Sequence, residues 1–186
     1  MGRLFGTDGI RGAVGVYPLT EEMVAKIGSA AALYASGVNP FKRRRQKIII
    51  GKDTRDSGKI FEDALTAGIT RKGVDVVKAG VTSTPALAFL VKTLNCDLGI
   101  VISASHNAGS DNGLKFFSHK AYKLFDEEEQ EIERIIFEQA EGAQAPTAEP
   151  TEYIEAEPVE GAPQEPAEGA DLTTKITDAE DKKSLY

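Results

Sequence analysis

Residues 47–103, KIIIGKDTRDSGKIFEDALTAGITRKGVDVVKAGVTSTPALAFLVKTLNCDLGIVIS, alternate between two hydrophobic periods. Lys47 to Gly51 is a short β-branched run bounded by a basic loop and a glycine, which reads as a buried strand. Ser57 then caps a helix that continues to Lys72, with Ile60, Phe61, Ala64, Leu65 and Ile69 on one face. Val74 to Ala79 is a second strand. Thr84 is expected as an N-cap with Pro85 in the first helical position, and that helix runs to about Leu94. Asp97 to Ser103 is the third strand.

The flanks extend the same alternation. Thr20 opens a helix to Tyr34, with Glu21 and Glu22 in the first turn, where the helix dipole favours them, and Met23, Ile27, Ala30, Ala31 and Tyr34 at helical spacing. A fourth strand, Gly113 to Ser118, is expected to follow a turn at Asp111-Asn112-Gly113, and Asp126 to Gln139 is a charged final helix. Alternating strands and helices with short joins predict an α/β domain over residues 1–139, a three-layer α/β/α arrangement with a largely parallel, mixed sheet. Ligands of such sheets gather beyond the carboxyl ends of the strands. That rule selects three loops: Asp53 to Ser57, Thr82 to Thr84, and Ala104 to Asn112.

Composition changes after that domain. Residues 140–170 hold 8 Ala, 8 Glu, 5 Pro and 3 Gly and no Lys or Arg, too little apolar surface to offset ordering entropy. They are expected to be a disordered acidic linker, and residues 171–186 a short continuation, too short to fold alone. Charge divides at nearly the same place. Residues 1–125 carry 18 Lys+Arg and 10 Asp+Glu; residues 126–186 carry 4 and 19. A basic body with an acidic end suits a body that handles anions. No apolar run is long enough to span a bilayer, and the N-terminus lacks a signal-peptide core, so a cytoplasmic location without membrane association is the expectation. The single Cys96 excludes an internal disulfide, and neither it nor His119 has partners at metal-ligand spacing. The basic run Lys42 to Lys47 lies in a loop without interleaved aromatics or a reading helix, which argues against nucleic acid.

Three segments could carry chemistry. Ser103-Ala104-Ser105-His106-Asn107 places Ser105 just past the third strand, on the ligand side of the sheet. A serine hydroxyl needs a neighbour to take its proton or a charge to stabilise its product, and His106 and Lys115 are near in sequence. A small-residue loop can also present backbone N–H groups to phosphate oxygens. A plain strand-to-loop turn with local hydrogen bonds explains the same residues, and spacing leaves both readings open. Phe5-Gly6-Thr7-Asp8-Gly9-Ile10-Arg11-Gly12 reads either as a tight loop presenting Arg11 to phosphate or as a glycine-rich turn with a solvated arginine. Gly51-Lys52-Asp53-Thr54-Arg55-Asp56-Ser57 has the placement of a phosphate loop without the glycine density or the Gly-Lys-Ser/Thr ending of a nucleotide-binding loop; an ordinary capped join is the other reading.

Taken in order, FGTDGIRG, GKDTRDSG, SASHN and DNGLKFF resemble the first, phosphoserine-bearing domain of the α-D-phosphohexomutases, over about residues 1–139, and ITDAEDKKSLY (Ile176 to Tyr186) resembles the family's lead into its second domain, so residues 171–186 are expected to be a partial lead into a missing second domain. The resemblance implies interconversion of glucosamine 6-phosphate and glucosamine 1-phosphate through a phosphoserine and a bisphosphorylated sugar. It implies that Ser105 carries the phosphoryl group, with Arg11, Lys115 and His106 as the other catalytic residues and Lys115 a candidate for proton handling. Thr7, Gly9, Asn107, Asp53 and Arg55 match substrate- or phosphate-binding positions. It also implies Mg²⁺, bound through the phosphoserine of Ser105 with its remaining ligands in a second domain. Phosphoryl transfer needs positioning and charge neutralisation more than covalent help, and these residue types supply both.

Two departures accompany the resemblance. Ala108 stands where the family usually has proline, so the loop is expected to be looser. The family's aspartate-rich metal loop, its sugar-recognition loop and its phosphate-clamping domain have no counterpart in residues 140–186. The expected partners are therefore a hexosamine phosphate and the missing C-terminal domains, or a chain supplying them, and the chain alone is expected to turn over little. A second reading, a non-catalytic binding or regulatory module derived from a phosphomannomutase/phosphoglucomutase domain, rests on that early stop and the acidic tail.

Overall fold

The computed structural model describes residues 4–38, 44–141 and 154–155. In chain order they form β1 (Ile10–Ala13), α1 (Glu21–Val38), β2 (Lys47–Lys52), α2 (Gly58–Thr70), β3 (Asp75–Val81), α3 (Thr84–Thr93), β4 (Leu98–Ile102), β5 (Asp111–Ser118), α4 (Asp126–Glu141) and β6 (Ile154–Glu155). The strands make one sheet in the order β1-β5-β4-β2-β3-β6. β2 pairs in parallel with β3 and β4, and β3 with β6. β5 runs antiparallel to both β4 and β1. Only residues 103–110 join β4 to β5, too short a link for the crossover that parallel pairing needs.

Strand alternation sends neighbouring residues to opposite faces, so each strand serves two cores. Ile48, Ile50, Ile100, Ile102, Leu114 and Phe116 face α1, α2 and α4, which contribute Ile27, Phe61, Leu65 and Ile132. Ile49, Val77 and Val101 face α3, which contributes Leu87 and Val91. The result is the expected three layers around a mixed sheet. No helix among the described residues is long and apolar enough to cross a membrane.

Several local expectations are corrected. The Asp111-Asn112-Gly113 segment is not a turn but the first part of β5, paired with Ala13, Gly12 and Arg11 of β1. Asn112 looks like a turn former, yet its side chain is fully buried, donating to Ser57 Oγ at 2.8 Å and accepting the Gly113 N–H. The last three residues of the glycine-rich N-terminal segment, Ile10 to Gly12, belong to the strand β1, where alternation is too short to be read. Ser57 precedes α2 but makes no side-chain cap, because its hydroxyl is taken by Asn112. α3 is capped one residue earlier than expected, by Ser83, whose Oγ accepts the Ala86 N–H at 3.4 Å. Thr20 does cap α1, accepting the Met23 N–H at 3.2 Å. Of residues 140–186, only 140, 141, 154 and 155 are described; the rest of the expected linker and continuation lies outside the described residues.

The Ser83 contact is long and exposed, so Ser83→Ala is expected to cost only about 0.5 kcal/mol, read as a small fall in the urea midpoint.

The acidic helix α4 is held down by its carboxylates. Glu129, nearly inaccessible, pairs with Lys123 Nζ at 2.9 Å, and Glu133 accepts the Leu4 N–H. Glu128 accepts the Tyr34 hydroxyl at 2.8 Å; burial, then that carboxylate, raises the Tyr34 phenol well above its ordinary range. The charge of this helix therefore ties it to α1 and the N-terminal segment.

Candidate active site

Ser105 follows the C-terminal end of β4 by three residues, and its side chain is exposed. Its φ is 59°, in the left-handed region that serine rarely occupies and that costs about 1 kcal/mol or more unless neighbours enforce it. Both of its backbone polar groups are held. The Ser105 N–H donates to Ser103 Oγ at 2.9 Å, and its carbonyl accepts from Arg55 at 2.9 Å. The Ser103 N–H in turn donates to the Gly113 carbonyl at 2.9 Å, which prolongs the β4–β5 ladder to the foot of the loop.

Arg55 approaches this loop from the β2–α2 join. Its Nε donates to Asp53 Oδ2 at 3.0 Å, while the Arg55 backbone N–H donates to Asp53 Oδ1 at 3.1 Å. One terminal nitrogen donates to the carbonyls of Ala108 (2.6 Å) and Asp111 (3.1 Å), the other to those of Ser105 and Asn107 (both 2.9 Å). A guanidinium has five N–H groups. All five are used, and the side chain is only 11% exposed. The loop expected to be loose for want of a proline is held from outside instead.

Arg11 differs. It stands on β1 opposite Gly113, on the sheet face away from Ile10. It pairs with Asp8 at 2.9 Å and makes two long contacts at 3.4 Å, to the Ala104 carbonyl and to Asn107 Oδ1. Among the described residues its Nε is buried without a partner. Asn107 bridges outward, its Nδ2 donating to Asp111 Oδ2 at 3.1 Å. Lys115 pairs with Val101 across β4–β5, two residues along β5 from Gly113, and therefore shares the Arg11 face. Gly113 leaves room for the Arg11 stem: a Cβ there would lie 3.0 Å from Arg11 Cγ and 2.8 Å from the Ser103 carbonyl. Gly9, at φ 90°, lets β1 close on Leu114.

The remaining expected residues divide. Thr7 and His106 are exposed at the rim. Asp53 serves Arg55. Lys52, in the segment with phosphate-loop placement, turns under α2 and pairs with buried Glu62 at 2.8 Å. Ser103, Asp8 and Asp111 were not singled out as site residues, yet each orients one that was. Ser103 lay inside the quoted SASHN run, and the Asp8 to Arg11 spacing was a usable signal. Among the described residues no group of three or more His, Cys, Asp or Glu could hold a metal ion. The nearby carboxylates Asp8, Asp53 and Asp111 are each engaged by Arg11, Arg55 or Asn107. These residues do not by themselves fit a Mg²⁺ site.

Residues 2–143 match the family profile for the phosphoglucomutase/phosphomannomutase alpha/beta/alpha domain I. The chain belongs to the phosphoglucomutase/phosphomannomutase family. Among curated members of this family, it is 53% identical over 138 residues to the phosphoglucosamine mutase of Geobacter metallireducens, covering 74% of this chain and 30% of that protein. It is 48% identical over 136 residues to the phosphoglucosamine mutase of Nitratidesulfovibrio vulgaris, covering 73% and 29%. Among solved structures of the family, a putative phosphomannomutase from Thermus thermophilus superposes with a TM-score of 0.66 at 27% identity, covering 81% of this chain and 32% of that one. A phosphoglucomutase/phosphomannomutase family protein from Burkholderia thailandensis gives 0.65 at 25% identity. The chain thus spans about a third of the length of the curated relatives it matches.

Proposed function

We propose that this chain is the serine-bearing part of a phosphoglucosamine mutase, with Ser105 as the phosphoryl carrier. The observation that carries the reading is the exposed Ser105 hydroxyl, three residues beyond a parallel strand end, in the loop whose Ala104 carbonyl and Asn107 side chain Arg11 contacts. The relatives' names, phosphoglucosamine mutase, support a hexosamine phosphate as the substrate. In the forward step the bond between phosphorus and Ser105 Oγ breaks and one forms to the free hydroxyl of a glucosamine monophosphate. The sugar hydroxyl's proton ends on the departing Ser105 Oγ, with Lys115 proposed to relay it by donating to Oγ and taking up the sugar's proton, and Oγ is left to be re-esterified. The bisphosphate turns round and returns its other phosphoryl group to Oγ, so no net phosphate is consumed.

Arg11 offsets charge on the group in flight. A phosphoserine carries roughly −1.5 to −2 near neutral pH, and a preorganised cation beside it is worth more than one that must reorganise. Among the described residues Lys115 has no carboxylate partner, so two cations share this face of the sheet. Mg²⁺ at the phosphoserine, as the family uses it, would draw its protein ligands from outside these residues.

The test is direct. The chain, alone and together with the remaining domains of a relative, is incubated with glucosamine 1,6-bisphosphate and its intact mass is followed, with the modified residue located by peptide sequencing. One phosphoryl group on Ser105 is expected; modification elsewhere, or none, would reject the assignment. Arg11→Gln is expected to slow uptake about a hundredfold, the usual scale for removing one preorganised charge donor. A change under threefold would remove Arg11 from the site.

A further inference from the structure

We infer that Arg55 is a positioning residue that sets the left-handed conformation of Ser105, and that it takes no part in binding phosphate. The inference rests on the reading of Ser105 as phosphoryl carrier and goes beyond it by assigning a role to a residue that motif placement marks as an anion ligand. The two guanidiniums near the serine are not equivalent. Among the described residues Arg11 holds the loop only by two long contacts at 3.4 Å, which can yield to a ligand, whereas every N–H of the Arg55 guanidinium is engaged. To bind a phosphate oxygen Arg55 would have to release a carbonyl of the loop or the Asp53 carboxylate.

The geometry explains why this position carries arginine. Four carbonyls, of Ser105, Asn107, Ala108 and Asp111, turn inward onto one planar fork, and the fork is fixed at its root by Asp53. Lysine offers three N–H groups from a single point and cannot span them. The clasp closes the loop at both ends: the Ser105 carbonyl at its start and the Asp111 carbonyl where β5 begins. With the Ser105 N–H on Ser103 Oγ, the peptide groups on both sides of the serine Cα are fixed, which is what a positive φ requires. A nucleophile displaced by about an ångström loses roughly a hundredfold in rate without losing substrate affinity.

The experiment compares the chain with Arg55→Lys, Arg55→Gln and Asp53→Asn on three readouts. The first is the intraresidue amide-to-Hα nuclear Overhauser effect of Ser105, which is strong only at positive φ. The second is inorganic phosphate affinity by titration. The third is the maximal rate of phosphoryl uptake from glucosamine 1,6-bisphosphate. Both Arg55 variants are expected to weaken the Overhauser effect, leave phosphate affinity within about twofold, and lower maximal uptake tenfold or more. Asp53→Asn is expected to move all three the same way by less, and it decides the matter where an Arg55 variant does not fold. A tenfold loss of phosphate affinity with an unchanged Overhauser effect would make Arg55 an anion ligand and overturn the proposal, as would variants in which all three readouts stay put. If the unaltered chain takes up no phosphoryl group, the assignment of Ser105 falls, and the clasp is judged on the Overhauser effect alone.

Discussion

Ser105→Ala is expected to abolish phosphoryl uptake, lowering it roughly a thousandfold or more, since removal of a nucleophile leaves only the binding groups around it. The loss must be separated from a disordered loop, and the backbone supplies the control. At φ 59° alanine is strained as serine is, while glycine is not. Ser105→Gly is therefore expected to stay within about 1 kcal/mol of the parent in urea unfolding and to be as inactive as the alanine variant. Intact mass spectrometry after incubation with glucosamine 1,6-bisphosphate reads the activity. Phosphate appearing on Ser105→Gly would move the carrier to another hydroxyl, with Ser103 the nearest alternative along the chain. Ser103 is a poor rival on geometry: it is 8% exposed, and its Oγ already accepts the Ser105 N–H.

What could be read in the sequence followed from periodicity. Ile48, Ile49 and Ile50 form a run apolar on both faces, which only a strand covered by helices on each side explains, and α3 and α2 provide those covers. β5 was located but not its start, because Asn112 and Gly113 carry turn chemistry in isolation and are absorbed into a strand by tertiary contacts with Ser57 and Arg11. β1 is four residues with two glycines nearby, below the length at which alternation can be seen. At the site, residue types announced the serine and the cations but not their division of labour. Arg11 and Arg55 each follow an aspartate, at three and two residues, and look alike on paper. Only the fold shows that the carbonyls of residues 105–111 converge on one of them. The proline missing at position 108 suggested a looser loop; the loop's order comes from Arg55, which no reading of residues 103–109 alone could reveal.

The largest loss of stability is expected far from the site, at Gly68→Ala. α1 and α2 cross with almost nothing between their backbones. A Cβ on Gly68 would be driven into the Ala25 carbonyl oxygen and come within 3.0 Å of both Ala25 C and Ser29 N. On the facing helix a Cβ on Gly28 would lie 2.7 Å from the Leu65 carbonyl oxygen. Each obstacle is backbone, which cannot rotate aside as a side chain can, so the helices would have to separate. Separation would also break the hydrogen bond from Ser29 Oγ to the Gly68 carbonyl, 3.0 Å, and unpack Ile27, Ala31, Leu65 and Ile69 from one another. Overpacking of this kind costs about 3 kcal/mol, and at this chain length that corresponds to a fall in melting temperature of roughly 10 °C. Gly37→Ala is the matched control. It lies in α1 with nothing among the described residues within 4 Å of its Cβ position, so the same change in helix propensity acts alone and is expected to stabilise by about 0.5 kcal/mol. Opposite signs for one substitution in two helical glycines would place the cost in the α1–α2 contact; a Gly68→Ala chain that melts with the parent would mean the two helices are free to slide apart. Because α2 begins at the join that carries Asp53 and Arg55, the Gly68 variant is also expected to weaken the left-handed signature of Ser105 well below its melting point.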